Sequence, residues 1–130
     1  MKIATLILAT SLGLATSLGA AAQTPTGINP QHFECYAAKD IKPFKARTVD
    51  LQDQFGHIRS VAVTPTMLCN PVSKNQSEMR DKETHLVCYS IKGPAPKTKQ
   101  VDITNQFGSE RLAVNVPQLL CVPSTKKPVG

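Results

Sequence analysis

An all-β architecture follows from three features of this chain. Apolar residues recur at every second position, no helical periodicity survives beyond the N-terminal apolar segment, and one strand-rich unit is stated twice. His32-Phe33-Glu34-Cys35-Tyr36 returns as His85-Leu86-Val87-Cys88-Tyr89, and Asp53-Gln54-Phe55-Gly56 returns as Asn105-Gln106-Phe107-Gly108. Pro65-Thr66-Met67-Leu68-Cys69-Asn70-Pro71 reappears as Pro117-Gln118-Leu119-Leu120-Cys121-Val122-Pro123, and a lysine stands three residues after the second proline both times, Lys74 and Lys126. The expectation is two pseudo-repeats of about three strands each, related in a twofold-like way and packed as one small disulfide-stapled sandwich or barrel.

Residues 1–22 have the form of a secretory signal peptide. Lys2 precedes an apolar run from Ile3 through Leu18, and Ala20-Ala21-Ala22 stand before Gln23. The run is broken by Thr, Ser and Gly and is short for a spanning helix, so cleavage near Ala22 is expected in place of a membrane anchor. No cysteine stands at that point to take a lipid, and nothing later in the chain is apolar over enough residues to form a spanning helix. The remaining 108 residues make one domain's worth of secreted or periplasmic chain. They divide into an N-terminal tail (23–31), repeat 1 (32–74), a linker (75–84), repeat 2 (85–127) and a C-terminal tail (128–130).

Each repeat opens with a cysteine-bearing strand and continues into a basic loop. The offset between copies is 53 residues at Cys35/Cys88 and 52 from Val49/Val101 onward, and a segment that gains or loses a residue is a loop. Val49, Leu51 and Phe55, matched by Val101, Ile103 and Phe107, then recur at strand spacing. Asp53-Gln54-Phe55-Gly56 and its counterpart read as tight turns. The Asp or Asn oxygen accepts from a backbone N–H two residues on, and Gly supplies the positive φ of a type I turn with a bulge. Asn105 at the place of Asp53 marks this as turn chemistry, since an amide accepts that hydrogen bond but is no base.

Val61-Ala62-Val63 and Leu112 to Val116 form the next strands, and their phases disagree. Val61 and Val63 fall opposite Ala113 and Asn115, so one copy carries a bulge or the loop after Gly differs by a residue. Thr64-Pro65 and Val116-Pro117 are each placed to open a single helical or 3₁₀ turn before the second cysteine. The stretch from Lys74 to Thr84 is polar, mixed in charge and free of apolar alternation. Asn75-Gln76-Ser77 within it has the form of an N-glycosylation acceptor, which the bacterial look of the leader argues against using.

Half of the mature chain, about 50 residues, buries too little apolar surface to stand without a staple or a partner. In an oxidising compartment, four cysteines at repeated spacing read as two disulfides, for which three connectivities exist. Exchanging the copies maps Cys35 onto Cys88 and Cys69 onto Cys121 in all three, so the repeat selects none. Cys35–Cys69 with Cys88–Cys121 is preferred, because a unit that was duplicated carried its own staple first. His32-x-x-Cys35 and His85-x-x-Cys88 superficially resemble ligand pairs, but residues three apart on a strand face opposite ways and no C-x-x-C partner exists. No metal and no other cofactor is expected.

The copies differ most in their loops, and both loops are basic: Lys42, Phe44, Lys45 and Arg47 in the first, Lys97 and Lys99 in the second. The tail adds Lys126 and Lys127, and removing Lys2 with the leader takes the net charge from +6 to +5. These are the candidate binding residues, suited to anionic surfaces such as an envelope polymer or phospholipid headgroups. Phe44 is the one aromatic without an apolar counterpart in the repeat, so the stacking platforms of sequence-specific nucleic-acid binding are not expected. No catalytic residue is assigned. Ser124-Thr125-Lys126-Lys127 fits S-x-x-K only by accident, lying after a proline near the C-terminus, and His57 has Ser109 opposite it with no acid or nucleophile to name.

The combined string H-x-x-C-Y, [DN]-Q-F-G and P-x-x-L-C-x-P-x-x-K, from about His32 to Lys127, resembles an uncharacterised secreted bacterial repeat domain found in single and multiple copies. The resemblance implies a disulfide-bearing, mostly β unit in exported proteins, and it implies no activity or ligand. The expected function is a non-catalytic protein-interaction or structural module with an unidentified protein partner. The alternatives are a lysine-driven binder of anionic polymers or membrane surface, and a small extracytoplasmic hydrolase.

Overall fold

The computed structural model describes residues 11–14, 27 and 30–130. The leader over 1–22 and the tail over 23–31 therefore fall largely outside the described residues, and cleavage near Ala22 with them. Strands make up the rest: β1 (His32–Ala37), β2 (Arg47–Asp53), β3 (Gly56–Val72), β4 (His85–Lys92), β5 (Lys99–Asn105), β6 (Gly108–Val114) and β7 (Leu119–Ser124). No helix occurs among the described residues, so none of them forms a helix able to cross a membrane. β1, β2, β3, β4 and β7 form a five-stranded antiparallel sheet, and β5 and β6 form a separate two-stranded one.

The 17-residue strand β3 is the spine of the larger sheet. Its first part pairs with β2, from Arg47↔Ala62 to Asp53↔Gly56, and its last part with β1, from His32↔Val72 to Ala37↔Met67. β4 pairs with β3 from Val61↔Lys92 to Cys69↔Leu86, overlapping both sets, so β1 and β2 lie end to end along the edge of β3 opposite β4. Residues 38–46 bulge out between them.

The turns between β2 and β3 and between β5 and β6 keep the expected side-chain hydrogen bond and glycine but not the bulge, since the register runs unbroken to Asp53↔Gly56 and Asn105↔Gly108. The Asp53 carboxylate accepts from the Phe55 N–H at 2.8 Å, and the Asn105 amide oxygen from the Phe107 N–H at the same distance. Gly56 and Gly108 close them at φ 132° and 122°, a region other residues enter only with strain.

The disagreement in phase between the copies also has a location. β3 shifts register against β4 between Ala62 and Thr64 and again between Pro65 and Met67, so Val63 and Thr66 stand as bulges against β4 and the strand tolerates Pro65 between them. Thr64-Pro65 therefore opens no helical turn. In the second copy the same stretch breaks: β6 stops at Val114, Asn115 accepts the Val116 N–H on its own side-chain oxygen at 2.7 Å, and β7 starts at Leu119. Asn115 stands where the first copy has Val63, and an Asn that captures backbone favours a turn over a ladder. Val116-Pro117 forms a bend without helix. The linker is ordered at its start, where Lys74 N–H donates to the Ser77 hydroxyl, Ser77 N–H to the Lys74 carbonyl, and Asn75 and Gln76 take φ of 51° and 63°.

Both disulfides are in place, Cys35–Cys69 and Cys88–Cys121, each between residues directly opposite on neighbouring strands with Cα atoms 3.9 Å apart. Ala38 N–H donates to the Thr66 carbonyl and Ile91 N–H to the Gln118 carbonyl, which fixes the cysteine pairs, three positions along, as the closer non-hydrogen-bonded class. The inner sulfurs meet, Cys69 Sγ 3.8 Å from Cys88 Sγ. Among the described residues the buried apolar ones are Ala62, Cys69 and Cys88, joined by Ser60 and His85, so the core of the described chain is centred on the cystines.

The twofold relation of the copies is overturned as well. A twofold would set like strands beside like or place them at mirrored ends of the order, but the order is β1-β3-β4-β7, in which β1 and β4 open the two copies and the second parts of β3 and of the β6–β7 pair close them. The copies follow one another head to tail, the closing strand of the first against the opening strand of the second.

Candidate functional site

The first basic loop lies on the sheet rather than away from it. The bulge over 38–46 brings Phe44 against Tyr89, ring centroids 5.2 Å apart, over the β3–β4 seam. Beside it runs an open groove of about 340 Å³ floored by Val49, Ala62, Leu120 and Val122 and edged by Arg47. Phe44, unmatched in the repeat, thus covers Tyr89 of the second copy, while Tyr36, its counterpart in the first, is 50% exposed. Lys42 and Lys45 belong to the same excursion.

The other basic residues lie at opposite ends of β4. Lys99 sits over the Phe55 ring at 5.6 Å, beyond the Lys92 end, with Lys97 just before it. Lys126 lies beyond the His85 end: its Nζ donates to Asn70 Oδ1 at 3.0 Å, and His85 Nδ1 is 3.1 Å from the same oxygen. β4 has eight residues, so about 25 Å of strand separates the two groups. The structure therefore does not gather the eight candidates into one patch. None of the described lysines pairs with a carboxylate; the ion pairs among the described residues are Asp50 with Arg59 and Asp102 with Arg111.

Those arginine pairs are a feature that sequence reasoning missed. Asp50 and Arg59 face each other across β2–β3 with two hydrogen bonds of 2.9 and 3.3 Å, and Asp102 and Arg111 repeat this across β5–β6 at 2.6 and 3.0 Å. All four are identical at an offset of 52, so the repeat carried the signal. Each guanidinium holds its aspartate below the usual 3.8. Their contribution is present above that value and disappears as pH falls through the lowered one, and at such exposure it is small.

His57 has the environment of an open hairpin. Its Nε2 is 3.9 Å from Asp50 Oδ1, beyond hydrogen-bond reach, and both side chains are more than half exposed. The Ser124 hydroxyl, first residue of the S-x-x-K match, donates to the Val122 carbonyl at 2.9 Å. Cys35 and Cys88 are oxidised, which removes the thiolates of the His-x-x-Cys pairs as metal ligands. No group of three or more His, Cys, Asp or Glu side chains among the described residues is placed to hold a metal ion.

The sheet itself is the largest unexplained feature. It leaves apolar side chains at its surface, with Phe33, Tyr36, Met67, Leu119 and Val122 between 37 and 50% exposed along β1, β3 and β7. Comparison with protein-family models, with curated proteins and with solved structures finds no match for this chain.

Proposed function

We propose that this chain is a secreted or periplasmic, non-catalytic module that acts by protein interaction or as a structural element, with a partner that contacts the variable loops. The observation that supports this reading is the larger sheet, which offers part-exposed apolar side chains on β1, β3 and β7 and, among the described residues, an unpaired edge on β1 and on β7. The test is capture of envelope proteins by the oxidised chain from residue 23, beside a variant with 39–46 and 93–98 replaced by Gly-Ser. A partner held by the first and lost by the second is expected. A partner set unchanged by the replacement ends the assignment to the loops.

A second reading rests on the lysines without carboxylate partners at both ends of β4. Two cationic ends about 25 Å apart suit a long anionic polymer better than a small anion. Retention on a polyanion column should then fall steeply with salt. Reversing Lys97 and Lys99 to Glu, or Lys126 and Lys127, should each weaken it, and all four together more. A variant with Lys39, Lys45, Arg80 and Lys82 reversed has the same charge, and equal loss by that control would reduce the effect to net charge and end this reading.

A further inference from the structure

We propose that the chain associates head to tail with copies of itself, β7 of one molecule pairing antiparallel with β1 of the next in the register of the internal β3–β4 junction. The proposal deepens the reading as an interaction or structural module, and rests on it, by naming a second copy as a partner.

The internal junction supplies the template. It joins the closing strand of the first copy, which carries Pro65 to Pro71, to the opening strand of the second, which carries His85 to Tyr89. β7 carries the matching closing string and β1 the matching opening string, and among the described residues each leaves one edge unpaired. The junction within the molecule is therefore half of a pattern whose other halves stand open at its two ends. Such a heterologous contact does not close on itself unless a rotation brings the ends together.

The backbone polarity agrees. The cysteine pairs are non-hydrogen-bonded toward their disulfide partners, so the N–H and C=O groups of Leu119 and Cys121 on β7, and of Phe33 and Cys35 on β1, point to the open edges. Carrying Cys69↔Leu86, Leu68↔Val87 and Met67↔Cys88 over by the repeat sets Cys121 opposite Phe33, Leu120 opposite Glu34 and Leu119 opposite Cys35 of the next copy. Every outward-facing pair meets an outward-facing pair.

Burial points the same way. Cys69 and Cys88, the inner halves of the two disulfides, are 0 and 2% exposed because the junction covers them, while the outer halves, Cys35 and Cys121, are exposed. Association in this register sets Cys121 beside Cys35 of the next copy as Cys69 lies beside Cys88. One residue opposes it: Glu34 stands where β4 has Val87, and a charge on an edge strand discourages addition. Glu34→Val is expected to strengthen association about fivefold, the worth of one apolar cross-strand pair.

The test is sedimentation of the oxidised chain from residue 23 with two edge variants. Leu119→Pro removes an outward N–H from β7, and Phe33→Pro does the same on β1. The unsubstituted chain should give a concentration-dependent series beyond the dimer, each variant alone a monomer, and their mixture a one-to-one dimer that grows no further. A chain that stays monomeric, variants that each associate as before, or a mixture that forms no dimer overturns the proposal. Independently of any effect of proline on folding, Glu34→Cys in one molecule should form a disulfide with Leu120→Cys in another, and Tyr36→Cys should not do so with Val122→Cys, which is out of register. Equal cross-linking by both pairs overturns the register. A monomeric chain that still captures a loop-dependent envelope protein ends the self-association alone, and a chain that polymerises without such capture ends the external partner alone.

Discussion

Reduction of both disulfides is expected to abolish the cooperative unfolding transition. Cys35–Cys69 and Cys88–Cys121 close loops of 34 and 33 residues, and on the chain-entropy account each stabilises by about 3–4 kcal/mol. A domain of this size has about 5–15 kcal/mol of stability in all. Here the loss falls on the core as well, since two of the three buried apolar residues are the inner cysteines. Cys88→Ala with Cys121→Ala should therefore lower the urea midpoint by an amount worth about 3–4 kcal/mol, and adding Cys35→Ala with Cys69→Ala should leave a chain without a cooperative melt by circular dichroism. A fully reduced chain that melts cooperatively within a few degrees of the oxidised one would show that the sheet is held by something other than its cystines.

Gly93→Ala is expected to destabilise the chain by about 1–3 kcal/mol, as overpacking does at a buried contact. Gly93 follows β4 and passes over Ser60, whose side chain is buried. A Cβ added there would lie 2.6 Å from Ser60 Oγ, 3.3 Å from Ser60 Cβ and 3.2 Å from the Arg59 carbonyl oxygen. The hydroxyl is also buried without a hydrogen-bond partner, so Ser60→Ala alone is expected to be near neutral. Combined with Gly93→Ala it should return part of the loss, the Arg59 carbonyl keeping the rest, which appears as non-additivity in denaturant midpoints. Additive losses would mean that the close approach of Gly93 to Ser60 is not what makes this glycine necessary.

What the sequence discloses here is chiefly what is local. The turn at Asp53 to Gly56 follows from the hydrogen-bonding reach of one carboxylate and the φ freedom of one glycine, and both act within four residues. Duplication favours a staple within each copy, and the strand register realises it. The order of the strands is another matter, because alternating apolar residues say that a strand is half buried and not which strand lies beside it. That is why a twofold was expected where a head-to-tail succession exists. Pro65 shows the same limit: a proline signals a break unless bulges on its own strand make room for it, and those depend on β4. Of the candidate site, Phe44 stood out as the aromatic without a counterpart, and its contact is with Tyr89. The lysines were legible as a set but not as two sets at opposite ends of a strand. Asp50, Arg59, Asp102 and Arg111 are legible in the repeat and carry the bidentate pairs found among the described residues.

The closed loops also determine how this molecule bears load. If it is pulled by its two ends, the force enters at Cys35, crosses to Cys69, and leaves through Cys88 and Cys121, so the chain inside each covalent loop is bypassed. Only the stretch between Cys69 and Cys88, 19 positions apart, can pay out, releasing about 65 Å of contour before the covalent path is taut. With both bridges reduced, another 34 and 33 residues join the path, and the extension grows by about 230 Å. Oxidised, the protein behaves as a short tether with a fixed stop, whose yielding part is the β3–β4 seam and the linker behind it.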